Sequence, residues 1–259
     1  MPVATRTTSS PLAATLTQAS LIAGIRDALV AAGFPAPLKS YTVSTDMYVI
    51  WQLVFDAAKP LGTIYYRLKV TSTLIASHTV GTTWTDASNA LGNAPADVHA
   101  TTFTASQNIT FTVLQSSEIS LALCTQGTTV QFNAGWLRLA DSPQYDEIAY
   151  PKIFIAGSSN FATLVTTSLT PYGSTTAFTT SLNNSNMADA DSYYGQRSLV
   201  GPFWLWGPTN TGIIAMSSPE LGMGANNAMS FGALHNPPGT TESWFVTRAG
   251  AGTMVVRIA

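Results

Sequence analysis

The sequence predicts a mainly β protein of two β-rich domains, sandwich-like or barrel-like, the first carrying one amphipathic helix near the N-terminus. Three observations carry this. A helical apolar period occurs once, close to the start, and gives way to a period of two. Short apolar runs then recur between Gly, Pro and Asn to the end of the chain. Of 259 residues, 46% are hydrophobic, enough to bury a core, but only 9% are charged, against about 25% in an average soluble domain.

Residues 1–16 read as an N-terminal arm. Its 5–10 segment is Thr/Ser-rich and without periodicity, and such an arm is free in solution unless a neighbouring chain receives it. Leu21, Ile22, Ile25, Ala28, Leu29 and Ala32 then form a single apolar stripe, predicting a helix over 17–32. Gly33 stands where a left-handed cap is wanted, and Pro35 and Pro37 prevent continuation.

From Tyr41 the period is two. Val49, Trp51, Leu53 and Phe55 share one face, while Tyr48, Ile50 and Val54 share the other, as in a strand covered on both sides. Residues 64–70 alternate with Ile64, Tyr66, Leu68 and Val70 inward, and 60–62 supply the turn of a hairpin. A small-residue loop over 86–97 precedes strands at 108–114, 118–124 and 129–139. In the last, apolar parity switches at Gly135, which reads as a bulge.

Two prolines and a cluster of acids place a linker at 143–152, separating a docking domain at 17–142 from a second domain at 153–259. Residues 151–259 hold eight charged side chains. Strands are expected there at 153–156, 162–169, 202–206, 212–216, 228–233, 244–248 and 253–258, with long loops at 183–195 and 217–227.

Function classes narrow by chemistry. Eleven Lys and Arg against thirteen Asp and Glu offer no electrostatic footprint for nucleic acid. No apolar run approaches the ~18–20 residues of a membrane-spanning helix, so no membrane insertion is expected. The first ten residues lack a basic and apolar leader pattern, which predicts folding in a reducing cytoplasm. The lone Cys124 lies in an alternating run and reads as a small core hydrophobe. His78, His99 and His235 are widely separated, and no metal-ligand spacing joins them, so neither metal nor cofactor is expected. Asp189 and Asp191 read as solvated loop acids, with calcium binding or a glycosidase pair as alternatives. No nucleophile elbow or phosphate-binding loop occurs, and no catalytic residue is assigned.

One constellation reads as ligand-binding. Trp204 and Trp206 share a face if their run is a strand, and Tyr193 and Tyr194 lie nearby in sequence. They fit a sugar ring or a partner chain, with core packing as the plainer alternative.

The neutral Thr/Ser arm, the opening helix that ends at Gly33–Phe34–Pro35, and the Thr/Ala/Asn/Gly-rich strands running to Val255–Val256–Arg257–Ile258–Ala259 resemble a bacteriophage virion structural protein of tail, baseplate or fibre type. The resemblance is one of whole-chain style. It implies a non-enzymatic component made in the host cytoplasm and located in the virion. It also implies partners: copies of itself in a trimer or ring, and other virion structural proteins. A carbohydrate-binding module holding a host surface glycan, and a head-decoration or vertex protein, are the alternatives. Scarce charge favours assembly, because neutral strand edges that would invite unwanted pairing in a monomer are buried against identical copies.

Overall fold

The structure, a computed structural model, describes residues 3–8, 15–58, 62–94, 98–138, 152–157, 162–163, 176–177, 199–200, 204–206, 213–216, 218–224, 230–237, 239–247 and 253–259. It is mainly β, with antiparallel sheets and one α-helix.

The first strand, β1 (Thr5–Thr8), lies in the expected free arm. It is not free. It pairs antiparallel with a later strand of its own chain, β9 (Ile109–Gln115), and Ala4 N donates to the Arg257 carbonyl at 2.9 Å. A Thr-rich segment has no apolar face to announce a strand, but an open sheet edge asks only for main-chain donors and acceptors.

Helix α1 (Gln18–Ala31) buries Leu21, Ile22, Ile25, Ala28 and Leu29, the expected stripe. Thr17 caps it reciprocally: Ser20 N donates to Thr17 Oγ1 at 3.1 Å and Thr17 N to Ser20 Oγ at 2.9 Å. Gly33 takes φ +96°, the left-handed turn that ends the helix and swings Phe34 into the core.

Five strands follow as one antiparallel sheet: β2 (Lys39–Val43), β3 (Asp46–Val54), β4 (Thr63–Val70), β5 (Ile75–Gly81) and, after an insertion, β8 (Val98–Thr102), in spatial order β2-β3-β4-β5-β8. The expected hairpin is β3–β4, with Trp51 opposite Tyr66 and Leu53 opposite Ile64. The insertion, of which 86–97 is expected as loop, contains a ribbon of β6 (Thr83–Thr85) and β7 (Ala90–Gly92) joined by a short 3-10 turn.

A seven-stranded central sheet comprises β1, β9 (Ile109–Gln115), β10 (Ile119–Gln126), β11 (Thr129–Arg138), β12 (Lys152–Gly157), β13 (Ala162–Thr163) and β14 (Thr176–Ala177), in that order. Apart from Lys152, the expected linker 143–152 lies outside the described residues. On its far side β12 pairs with β11 in the same sheet. The register irregularity falls between Cys124 and Thr125, opposite an extra residue at 131, and not at Gly135. The parity switch has another cause: Phe132, Ala134 and Trp136 enter one core, and Leu137 enters another on the opposite face.

Beyond it lie β15 (Leu199–Val200), a ribbon of β16 (Trp204–Trp206) and β17 (Ile213–Met216), then β18 (Leu221–Gly224), β19 (Leu234–His235), β20 (Trp244–Val246) and β21 (Thr253–Arg257). Strands β15-β18-β21-β20-β19 form a third sheet. The strand expected at 228–233 is displaced: residues 231–232 make a turn, and the strand begins at Leu234. Residues 228–229 and most of 162–169 lie outside the described residues.

Two cores hold the layers together. On one face of the central sheet, Ala122, Cys124, Phe132, Ala134, Trp136, Phe154 and Ala156 meet α1 and the first five-stranded sheet. Ala122, Ala134 and Ala156 stand directly opposite one another across three adjacent strands. This low row accommodates an aromatic cluster in which Phe34 lies 4.7 Å from Trp136, and Tyr66 lies 4.7 Å from Phe154 and 5.4 Å from Trp51. On the other face, Leu114, Leu121, Leu123, Leu137 and Ile155 meet Leu221, Phe245, Met254 and Val256 of the third sheet.

Gly135 stands opposite Leu121 of β10; a Cβ there would stand 1.9 Å from the Ser120 carbonyl oxygen. Gly135→Ala should therefore cost about 2–3 kcal/mol, as overpacked core positions do. Urea unfolding followed by tryptophan fluorescence checks this, with Gly127→Ala, which meets nothing within 4 Å but stands at φ +63°, reporting backbone strain alone.

Candidate functional site

Of the residues singled out from sequence, Trp204 and Trp206 occupy alternate positions of β16. Their side chains, and Tyr193, Tyr194, Asp189 and Asp191 altogether, lie outside the described residues. Cys124 is fully buried on β10, and burial pushes its thiol well above the usual range, as expected of a core thiol. His78 is fully buried on β5, its Nδ1 2.8 Å from the Tyr66 hydroxyl and its ring stacked 4.4 Å from Phe132. Burial likewise raises the Tyr66 hydroxyl's pKa. This pair is a polar contact inside an aromatic core, far from solvent. His235 is partly exposed on β19, and His99 stands on β8. Among the described residues no group of three His, Cys, Asp or Glu side chains is placed to hold a metal ion, and no helix is long and apolar enough to cross a membrane.

What the structure brings together instead is an open edge. Among the described residues, strand β2 ends the first five-stranded sheet and pairs on one side only, to β3. Its flanks are unusually bare: Leu38 is 48% exposed and Val43 50%. Natural edges are guarded by charges, prolines or bulges. The one cation here, Lys39, is turned away to Asp86, with Nζ 3.0 Å from Oδ1 and 3.1 Å from the carbonyl oxygen.

The two faces of β2 differ. Toward the helix, Ser40 and Thr42 line a groove of about 260 Å³ with Ala19, Ile22, Ala23 and Arg26. These small side chains leave the mouth of the helix–sheet sandwich open. On the outer face the sheet carries a ladder of flat groups. Trp84 lies 5.8 Å from Tyr41; Tyr41 stacks on Tyr48 at 5.0 Å and 5°; and Lys69 Nζ lies 5.8 Å over Tyr48. Asp46 anchors Lys69 at 3.0 Å. The ladder follows the register, because Tyr41 faces Tyr48 and Tyr48 faces Lys69 across adjacent strands.

This arrangement offers main-chain pairing beside apolar side chains, the chemistry of strand addition. Sequence reasoning passed over β2 because the Ser44–Thr45 turn carries no glycine, although Ser44 takes φ +55°. The alternation of Lys39, Tyr41 and Val43 was the available signal.

No family model, curated protein or solved structure matches the chain.

Tyr41→Ala removes the middle of the ladder and should lower stability by about 0.5–1.5 kcal/mol beyond the lost buried area. A Tyr41/Tyr48 double-mutant cycle in urea measures the coupling, and a value near zero would show the stacking to be incidental.

Proposed function

We propose that the chain is a non-enzymatic structural component that assembles with copies of itself and docks to other structural proteins, in the manner of a bacteriophage virion protein of tail, baseplate or fibre type. The observation that carries this reading is the unguarded edge of β2, neutral apart from a lysine engaged elsewhere and flanked by half-exposed Leu38 and Val43. Composition supports it: with 9% charged residues, the chain has little electrostatic protection against association, which suits a protein whose edges are covered in an assembly. The layered β architecture supports it as well, since stacked antiparallel sheets present rigid edges at fixed angles to a neighbour.

Native mass spectrometry and sedimentation at protein concentrations around 10–100 μM, a range that reveals micromolar self-association, test the proposal. The expected result is a closed oligomer of defined size, a trimer or a ring. A homogeneous monomer across that range overturns it. Thr42→Lys with Val43→Lys puts two cations on the edge and should weaken association about tenfold or more, some 1.4 kcal/mol, without unfolding the chain. Unchanged assembly in that variant would remove β2 from the interface.

A further inference from the structure

The third sheet meets the central sheet through apolar side chains, with one carboxyl sealed in the seam. Glu220 lies in the turn 218–220 that leads into β18 and is 1% exposed. Its Oε1 accepts from Ser116 Oγ at 2.7 Å, across to the β9–β10 turn of the central sheet. Its backbone carbonyl accepts from Arg257 N on β21 at 2.9 Å, so the residue is fixed to both layers. Oε2 is buried and has no hydrogen-bond partner. An ionised carboxylate in that position gives up hydration on an oxygen that receives nothing in exchange.

The charged groups around it come in pairs. From the central sheet, Glu118 is bonded to Arg138 at 3.4 Å; from the third sheet, Arg257 is bonded to Glu242 at 3.3 Å. Both arginines are thus engaged by another carboxylate, and Glu118 adds a like charge next to Glu220. Burial raises the Glu220 pKa above the ordinary glutamate range; the Ser116 hydroxyl draws it down, Glu118 pushes it up and Arg257 pulls it down.

We propose that Glu220 is an acid-operated latch: protonated, it lets the third sheet seal onto the central sheet, and ionised, it loosens that seam. The sign follows from linkage. The docked state holds the proton more tightly than the opened chain, so the contribution to docking is complete below the unfolded glutamate value of about 4.3 and is lost as pH rises through the higher docked value. The device is local to this seam and does not depend on how copies assemble.

Hydrogen exchange of the full chain tests it, comparing β18 and β21 amides at about pH 5 and about pH 7.5, after correction for intrinsic exchange rates. Protection in the wild type should be greater at the lower pH, by up to about tenfold for each unit separating the docked and opened pKa values, the full factor being reached only below the opened value of about 4.3. Glu220→Gln should give that greater protection at both pH values. Glu118→Gln removes a like charge and should move the midpoint to lower pH; Ser116→Ala removes a donor to the carboxylate and should move it higher. Equal or weaker wild-type protection in acid overturns the latch, as does a Glu220→Gln chain that keeps the wild-type pH dependence. Should Glu220→Gln fail to fold, midpoints that do not move in opposite directions in the other two variants overturn it equally.

Discussion

Strand β10 is buried at all eight of its positions, so neither face of the central sheet can meet water there. Each face must therefore be supplied with a covering layer, and the rest of the fold follows from how the chain does so. The first five-stranded sheet and α1 cover one side; β18, β20 and β21 of the third sheet cover the other. Full burial of one large apolar side chain contributes on the order of 1.5–3 kcal/mol, so losing either layer would strand several such groups in water. The two coverings also differ in texture. The first fills the space above an alanine row with aromatic rings, whereas the second is mostly leucine, isoleucine and valine around Phe245.

How much of this was legible in the sequence depends on the turns. Helix α1, the β3–β4 hairpin and β9 to β11 were readable because their apolar periodicity is strong, and glycine or proline marks the end of α1, the β3–β4 turn and the β10–β11 turn. The strands passed over, β2, β5 and β7, follow or precede turns made without glycine: Ser44, Leu74 and Asn89 all take positive φ. Side chains in that conformation are tolerated at a cost of about 1–2 kcal/mol, which tertiary packing covers here and which leaves no compositional trace. Strand β1 was missed for a different reason, since four exposed threonine-rich positions bind mainly through the main chain. The Gly135 parity switch was visible, but its cause was not, because a single strand cannot reveal that its sheet is covered twice. For the same reason the β2 edge was invisible as a site: which strand ends a sheet is a property of spatial order, and sequence order does not contain it.

Scarce charge takes on meaning once the ion pairs are placed. Asp46–Lys69 ties β3 to β4, Glu118–Arg138 closes the end of β10–β11, Glu242–Arg257 spans β20–β21, and Lys39–Asp86 fastens the β6–β7 insertion to β2. Each sits at a seam within the chain. Partly exposed pairs of this kind contribute little to stability individually, about 0–1 kcal/mol, but they fix where neighbouring strands lie. Ions used at internal seams do not guard sheet edges, and the edges are left with hydroxyls and short apolar groups.

The chain already shows what such edges accept. At one end of the central sheet, β9 takes up β1, a Thr-rich segment with all four side chains exposed, in continuous antiparallel register from Thr5 opposite Gln115 to Thr8 opposite Thr112. Almost nothing but main-chain pairing holds it, apart from Ala4 in the second core and the Arg6 guanidinium 4.7 Å over the Phe245 ring. That edge is closed by the chain itself and, among the described residues, β2 is not, yet the two strands are alike in kind: short, hydroxyl-rich and free of proline. An edge so similar to one that binds a strand within the molecule has the same reason to bind one from outside it, and the groove beside Ser40 and Thr42 leaves room on the helix side for the incoming side chains.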